Sequence, residues 1–209
     1  MRRRIVVRVA NCAGVSNPRL AGFCVRMALT TPGLRGLPDV VLLSEVSTVN
    51  VAAVARKHAP GWHVVQRGRV GSPAAGVAIA SRAPIRSPRS LVGSVAGFGI
   101  RMRPILSGST LGARVTAVHA PPARAPLSRA RYIARARTRR GLVGGDWNRR
   151  PGWMRRTSTR TYRGLRGDVL GLMIPRRYRA SKAVGVDIGS DHPAVDVVVH
   201  IPAWRLRRM

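Results

Sequence analysis

Short apolar runs separated by Gly, Pro and polar residues dominate this chain, and runs of this length are typical of buried β-strands. Two segments instead carry helix signals. Arg19–Leu29 follows Asn17 as a cap and Pro18 at its first position, and Val49–His58 ends before Pro60. Leu127–Arg139 also has helical character. The predicted strands are Ile5–Ala10, Val40–Leu43, Trp62–Gln66, Gly76–Ala80, Leu91–Val95, Gly99–Leu106, Leu111–Val118, Gly141–Gly145, Val169–Met173, Ala180–Val186 and Ala194–Ile201.

This order of elements, many strands with a few interspersed helices, predicts an α/β (α+β) sandwich rather than a helical bundle. A chain of 209 residues is most simply one domain, so we expect a single domain over residues 1–209. No internal repeat interrupts the pattern. The Arg-, Thr- and Gly-rich stretch Arg149–Gly167 is the segment that we expect to be mobile.

Charge changes this picture, because the formal net charge is +31 and only seven side chains are carboxylates. Lys57 and Lys182 are the only lysines, so 36 of the 38 cationic residues are arginine. A GC-rich coding sequence can explain arginine in place of lysine, but it does not explain the lack of acids. So positive a field predicts a polyanionic partner, with nucleic acid favoured over an anionic membrane surface.

Several classes of protein are disfavoured. Cys12 and Cys24 have no zinc-ligand spacing, and we expect two buried free thiols. The basic and apolar N-terminus imitates a signal peptide, but Arg8 interrupts it and no small-residue cleavage site follows. No apolar run approaches the ~20 residues of a membrane span. We therefore expect a cytoplasmic protein with no membrane partner, and no obligate protein partner is evident.

The few acids are concentrated at predicted strand ends. Glu45, the one glutamate, ends an apolar run, and Asp146 and Asn148 follow another in the sequence GGDWN. Asp191 and His192 lie together just before the last strand. Carboxylate oxygens are the ligands that Mg²⁺ and Mn²⁺ prefer, and an adjacent His can move protons near neutral pH. The pattern therefore predicts a site for a divalent cation that acts on a phosphate.

Three more strand-end residues complete this candidate set: Asn11, His119 and Asp168. Taken alone, Asp146 and Asn148 resemble an ordinary turn, and a single His is more often structural. Their joint occurrence favours catalysis. Asp187 and Asp196 have no such support, and we expect them to pair with arginines at the surface.

The ordered motifs resemble those of the endonuclease/exonuclease/phosphatase superfamily, the deoxyribonuclease-I-like fold. The resemblance covers roughly residues 4–201. Its carriers are Asn11 and the segments PDVVLLSEV, GVAIASRAPI, VTAVHAPP, GGDWN, GDVLGL and GSDHPAV. A bare GDxN is common by chance, but six motifs in the right order are specific. The resemblance implies a four-layered sandwich of two β-sheets flanked by helices, and cleavage of phosphate esters with Mg²⁺ or Mn²⁺.

The resemblance also implies a role for each candidate. Glu45 is the principal metal ligand, with Asn11 and Asp191 beside it. Asp146 orients or deprotonates the attacking water, and Asn148 holds the phosphate. The remaining implied catalytic residues are His192 as base or phosphate ligand, Asp168 as its buttress, and His119 at the scissile phosphate.

One departure concerns His119. No Asp or Glu lies between Glu45 and Asp146, the interval from which deoxyribonuclease-type enzymes supply a carboxylate partner for the middle histidine. We therefore expect His119 to be a weaker acid–base group than His192.

Basic residues beside the motifs are candidates for binding nucleic-acid phosphates: Arg67, Arg69, Arg149 and Arg150. Such contacts position a nucleic acid without reading its sequence. The leading function is thus a metal-dependent endo- or exonuclease acting on DNA with little sequence preference. A phosphatase or phosphodiesterase for a small or lipid phosphate, and a nucleic-acid-binding protein with weakened catalysis, remain as alternatives.

Overall fold

Two β-sheets pack face to face in the computed structural model of the protein, which describes residues 2–12, 18–33, 35–68, 76–92, 103–120, 132, 136, 141–148, 159–163, 169–190 and 192–202. The elements are β1 (Arg2–Asn11), α1 (Pro18–Thr30), β2 (Val40–Ser44), α2 (Val51–His58), β3 (His63–Arg67), β4 (Val77–Ser81), β5 (Arg86–Val92), β6 (Pro104–Thr110), β7 (Ala113–His119), β8 (Leu142–Asp146), β9 (Thr159–Arg163), β10 (Val169–Met173), β11 (Arg179–Ala180), β12 (Val184–Val186) and β13 (Ala194–Pro202).

The first sheet has the order β11-β13-β1-β2-β4-β3, with β12 pairing beside β13, and the second has the order β5-β6-β7-β8-β10-β9. Each sheet is antiparallel except for one central parallel pair, β1–β2 in the first and β7–β8 in the second. The C-terminal ends of these four central strands therefore define one edge of the sandwich.

Alternating side chains explain how the layers form, because successive residues of a strand point to opposite faces. On β1, Ile5, Val7 and Val9 point into the core between the sheets. Ala10, on the outer face, joins the apolar layer under α1 and α2. Tyr132, a helical residue, belongs to the cluster on the outer face of the second sheet. The predicted four-layered sandwich of two sheets flanked by helices is confirmed.

Some predicted boundaries were wrong. Thr159–Arg163 forms β9 inside the stretch expected to be mobile, because Thr and Tyr favour extended backbone and charged residues suit an edge strand. The strand predicted over Ala180–Val186 is two short strands. The strand predicted over Gly99–Leu106 contains the start of β6 at Pro104, and the first four residues of that prediction lie outside the described residues. β5 begins at Arg86, earlier than the predicted Leu91. Polar and proline residues in these strands weakened the apolar signal.

Asp196 is also placed differently from the prediction, because it is buried rather than at the surface. The fully buried Arg8 donates to it twice, from Nε to Oδ1 at 2.6 Å and from Nη2 to Oδ2 at 2.7 Å. Arg8 Nη1 also donates to the carbonyls of Ala28 and Thr31, at 2.9 and 2.8 Å. One arginine therefore joins β1, β13 and the C-terminal end of α1.

Two other expectations concern the described part of the chain. Cys12 and Cys24 are buried thiols that no disulfide joins, as predicted. Among the described residues, no helix is long and apolar enough to cross a membrane.

Candidate metal and phosphoester site

The ends of the two central parallel pairs bring the polar motifs together. Asn11 is in register with Ser44, the residue before Glu45, and His119 is in register with Asp146. Alternation along their strands points Asn11, His119 and Asp146 into the space between the sheets. All three are buried. The two sheets thus deliver their polar residues to one position at the edge of the core.

Glu45, His119 and Asp146 form the centre of this position, because one potential ligand atom of each lies within 4.8 Å of the others. His119 Nε2 is 3.5 Å from Glu45 Oε1 and 3.9 Å from Asp146 Oδ2. Three side chains from three strand ends, separated by up to 101 residues in sequence, therefore converge as a possible metal-binding group.

Asn11 connects the two carboxylates. Its amide Nδ2 donates to Glu45 Oε1 at 3.2 Å and to Asp146 Oδ2 at 2.9 Å. Two carboxylates brought close together in a buried site repel each other unless a positive group or hydrogen-bond donors compensate. Asn11 therefore lies between the two acids as a donor, and its role as a metal ligand stays a prediction.

The backbone has an unusual conformation at two residues of the site. Glu45 and Asn148 are both in the left-handed region, with φ of 57° and 48°. This conformation costs of order 1 kcal/mol or more for residues other than glycine. Asn148 compensates by donating from its backbone N–H to Asp146 Oδ1 at 2.8 Å and from Nδ2 to the Ala120 carbonyl at 2.7 Å. Both residues turn the chain sharply at a strand end.

His119 is neutral in this environment. Burial, and then the Arg103 guanidinium, hold the pKa of His119 well below its usual range. Its backbone N–H donates to the Tyr132 hydroxyl, which donates to the Pro104 carbonyl. Nδ1 is buried with no hydrogen-bond partner in the described part of the chain. The imidazole can therefore offer a lone pair, and no described carboxylate orients it through Nδ1.

His192 reaches the same edge through a separate loop. Ser190 Oγ donates to the Asn11 carbonyl at 2.7 Å, and the His192 N–H lies 3.5 Å from that hydroxyl. His192 is itself buried. The predicted metal ligand Asp191 and the predicted buttress Asp168 lie outside the described residues.

Arg67 is the predicted phosphate contact that the structure describes. It ends β3 in register with Val77, which is itself in register with Ser44. Two strand spacings place its backbone roughly 10 Å from that of Ser44. The side chain is exposed. Arg67 therefore lies at the same edge as the acids, while Arg69, Arg149 and Arg150 fall outside the described residues.

Comparison with known proteins shows which family the chain belongs to. The sequence profile of the Endonuclease/Exonuclease/phosphatase family matches residues 10–205, nearly the whole chain. The chain belongs to this family. Comparison with curated proteins found no match.

Solved structures share the fold of this chain. A D. rerio TDP2 humanized by 14 mutations is 14% identical with a TM-score of 0.67, over 94% of this chain and 98% of that chain. A family protein from Leptotrichia buccalis is 12% identical with a TM-score of 0.66, over 93% and 99%. The 3′ phosphatase NExo from Neisseria, bound to product DNA hairpin, is 17% identical with a TM-score of 0.60, over 92% and 98%. At these low identities, the TM-scores show a shared fold.

Members of the endonuclease/exonuclease/phosphatase family are phosphoesterases that depend on a divalent metal. The donor chemistry of this site fits such an ion. Glu45 and Asp146 supply hard carboxylate oxygens, and the neutral His119 supplies a nitrogen that Mn²⁺ accepts more readily than Mg²⁺ does. The divalent metal ion that the family implies therefore has suitable ligands in this chain.

Arg103, which precedes β6, was not among the residues predicted for the site. Its Nη1 donates to the Ala120 carbonyl at 2.8 Å, the same oxygen that accepts from Asn148. Burial lowers the pKa of Arg103, while the charges of Glu45 and Asp146 act in the opposite direction. Arg103 therefore lies within electrostatic reach of the acids. One arginine among 36 gives no sequence signal of its own.

Gly76 holds the segment after Glu45 in place. Its carbonyl accepts from the Val46 N–H at 3.3 Å, and a Cβ on Gly76 would overlap the backbone of Val46 and Ser47. We expect Gly76→Ala to move Glu45 and to lower metal-dependent phosphoesterase activity by up to about 10²-fold, because catalysis is sensitive to ~1 Å displacements. Gly22→Ala on α1, where a Cβ meets nothing within 4 Å, is the matched control. Equal activities of the two variants would contradict this role.

Proposed function

We propose that the protein is a divalent-metal-dependent phosphodiesterase, a nuclease that hydrolyses DNA with little sequence preference. One observation carries the proposal. A chain with seven carboxylates and a net charge of +31 places two of those carboxylates, Glu45 and Asp146, with His119 within 4.8 Å at an edge of the sandwich. The acids suit a cation, and the surrounding charge suits a polyanion.

Glu45, His119 and Asp146 would hold Mg²⁺ or Mn²⁺. When bound, such an ion polarises a phosphate oxygen and lowers the pKa of water. Both carboxylate oxygens of Asp146 accept hydrogen bonds, from the Asn148 N–H and from Asn11 Nδ2, and these bonds fix the orientation of the carboxylate. In our proposal, Asp146 orients the attacking water and accepts its proton.

Other side chains of the chain would bind the phosphate. The Asn148 amide and the Arg103 guanidinium share the Ala120 carbonyl, which brings an amide donor and a cation to one side of the acids. These groups would stabilise negative charge that develops on the phosphate oxygens. His192, on the loop anchored to Asn11, is proposed as a second group for proton transfer or phosphate binding.

The choice of DNA rests on charge and on the relatives. A small phosphate needs few cations, whereas 38 cationic residues suit a polymer with many phosphates. Arg67 lies at the acid-containing edge, where it can contact a backbone phosphate. NExo, a 3′ phosphatase of the same fold, was crystallised with a DNA hairpin. Phosphate contacts carry no sequence information, so we propose little sequence preference.

Incubation of supercoiled plasmid with the purified protein tests this proposal. We expect nicking with Mg²⁺ or Mn²⁺ and none with excess chelator. Parallel reactions with a small phosphomonoester and with phospholipid vesicles examine the other substrate classes. Hydrolysis of only the small or lipid phosphate would replace the nuclease by a phosphatase. Binding of DNA without any hydrolysis would indicate a binding protein.

Affinity for DNA is expected to fall steeply with salt. Each phosphate contact contributes a slope of about −0.9 in log K against log salt on duplex DNA. Several arginine contacts therefore predict a slope of about −3 or steeper in fluorescence anisotropy titrations with chelator present. A nearly flat dependence would contradict polymer binding.

A further inference from the structure

A row of basic residues lies on the outer face of the first sheet, at the end away from the acids. Arg4 on β1 is in register with His200 on β13, and His200 is in register with Arg179 on β11. These residues alternate with the core residues Ile5 and Val199, so their side chains point outward. Arg4 and Arg179 are exposed. The three form a row across adjacent strands, which we call the distal basic row.

A pocket of about 180 Å³ adjoins this row. Its floor contains Val6 and Val198, which are the next outward-facing pair along β1 and β13. Arg35 and Lys182, both exposed, contribute two more cations to its lining. The one acid in the pocket wall is Asp196, whose two oxygens already accept from the buried Arg8. The pocket therefore has an apolar floor and a cationic rim.

The sequence places these cations together at an electrostatic cost. Arg4 and Arg179 flank the same histidine, two strand spacings or about 10 Å apart, where exposed like charges still repel each other at low salt. Among the described residues, no carboxylate lies within ion-pair distance of Arg4, Arg35, Arg179 or Lys182. An anionic ligand that spans the row would relieve this repulsion.

The distal basic row cannot belong to the metal site. Arg4 and Asn11 are seven positions apart on the same extended strand, which separates their backbones by about 23 Å. Arg4 also faces away from the core, whereas Asn11 faces into it. Any ligand at the row is therefore additional to the phosphate that is cleaved.

We propose that the distal basic row and its pocket bind single-stranded nucleic acid outside the catalytic site. The two arginines of the row lie about 10 Å apart, two strand spacings, and together with Arg35 and Lys182 at the pocket they match a ligand with several linked phosphates better than a single anion. Duplex DNA holds its bases inside, whereas an unpaired nucleotide can place its base in the pocket of about 180 Å³ beside the row. The proposal extends the proposed function by a second contact, and it does not depend on hydrolysis.

Binding with chelator present tests the proposal without catalysis. The probe is a fluorescently labelled single-stranded DNA oligonucleotide, and the variant is Arg4→Glu with Arg179→Glu. The control is Arg86→Glu with Arg89→Glu on β5, two exposed arginines on the second sheet with the same change of net charge. We expect the row variant to bind more weakly than the control. Its salt slope should be less steep by about 1.4, from two lost single-strand contacts.

Binding to phosphatidylserine vesicles is measured in parallel. Three results would overturn the proposal: equal losses of DNA affinity in the row variant and its control, no loss of DNA affinity in either, or a row variant that loses affinity for the vesicles but not for the DNA. Arg4→Gln with Arg179→Gln repeats the comparison if the glutamates impair folding, which thermal denaturation would detect. Hydrolysis of a small chromogenic phosphodiester by the row variant should remain unchanged. This readout separates failure of the distal contact from failure of the proposed catalytic site.

Discussion

Replacement of Glu45 by glutamine is expected to abolish metal-dependent cleavage while the fold remains intact. The substitution keeps the shape of the side chain but removes the negative charge that faces His119 Nε2 at 3.5 Å. Loss of groups that only orient metal ligands typically costs 10–100-fold, so loss of a ligand should cost at least about 100-fold. The rate of plasmid nicking at limiting Mg²⁺ measures this effect, and circular dichroism verifies the fold.

Asp39→Asn is the matched control. Asp39 precedes β2, at the opposite end of the strand from Glu45, and its Oδ2 accepts from the Val6 N–H at 2.7 Å. An asparagine oxygen can still accept that hydrogen bond, and the change of net charge is the same. We expect the control to retain the parent rate. A Glu45→Gln protein that is folded and equally active would remove Glu45 from the catalytic group.

Replacement of Arg8 by alanine is expected to cause the largest loss of stability. The variant leaves the Asp196 carboxylate buried without its bidentate partner, and it removes donors to the Ala28 and Thr31 carbonyls. Breaking a buried ion pair from one side typically costs about 3–5 kcal/mol. Since domains of this kind are stable by about 5–15 kcal/mol, urea denaturation should show a large shift of the midpoint.

A double variant separates the charge from the packing. Arg8→Met with Asp196→Leu removes both charges, and replacement of a whole buried pair by apolar residues is often nearly neutral. We expect it to be more stable than Arg8→Ala, although the Ala28 and Thr31 carbonyls lose a donor in both. If the double variant were the less stable of the two, the unpaired Asp196 charge would not be the cause of the loss.

The sequence predicted the fold largely through its strands. The apolar runs that became β1, β2, β4, β8 and β13 lie at the centre of the sheets, where burial on both faces makes the pattern unambiguous. The edge strand β9 has the sequence TRTYR and gave no apolar signal. Edge strands carry polar residues because one side faces water, so apolar runs in the sequence do not indicate them.

The grouping of the candidate site residues could not be predicted from the sequence. Motif order identified Glu45, Asp146 and His119, but the grouping of His119 with the two acids depends on the register between β7 and β8. The bridging position of Asn11 likewise depends on contacts between residues 34 and 135 positions apart. Register and long-range contacts are set by the packing of whole sheets, which local sequence patterns do not specify.

Glu45, His119 and Asp146 are proposed to form a binding site for a divalent metal ion. Titration of the protein with Mn²⁺, followed by electron paramagnetic resonance of the free ion, measures this directly. We expect the parent protein and the Asp39→Asn control to bind Mn²⁺ alike, and Glu45→Gln and Asp146→Asn each to bind it at least about tenfold more weakly. Equal Mn²⁺ affinity in all four proteins would show that these side chains do not bind the metal.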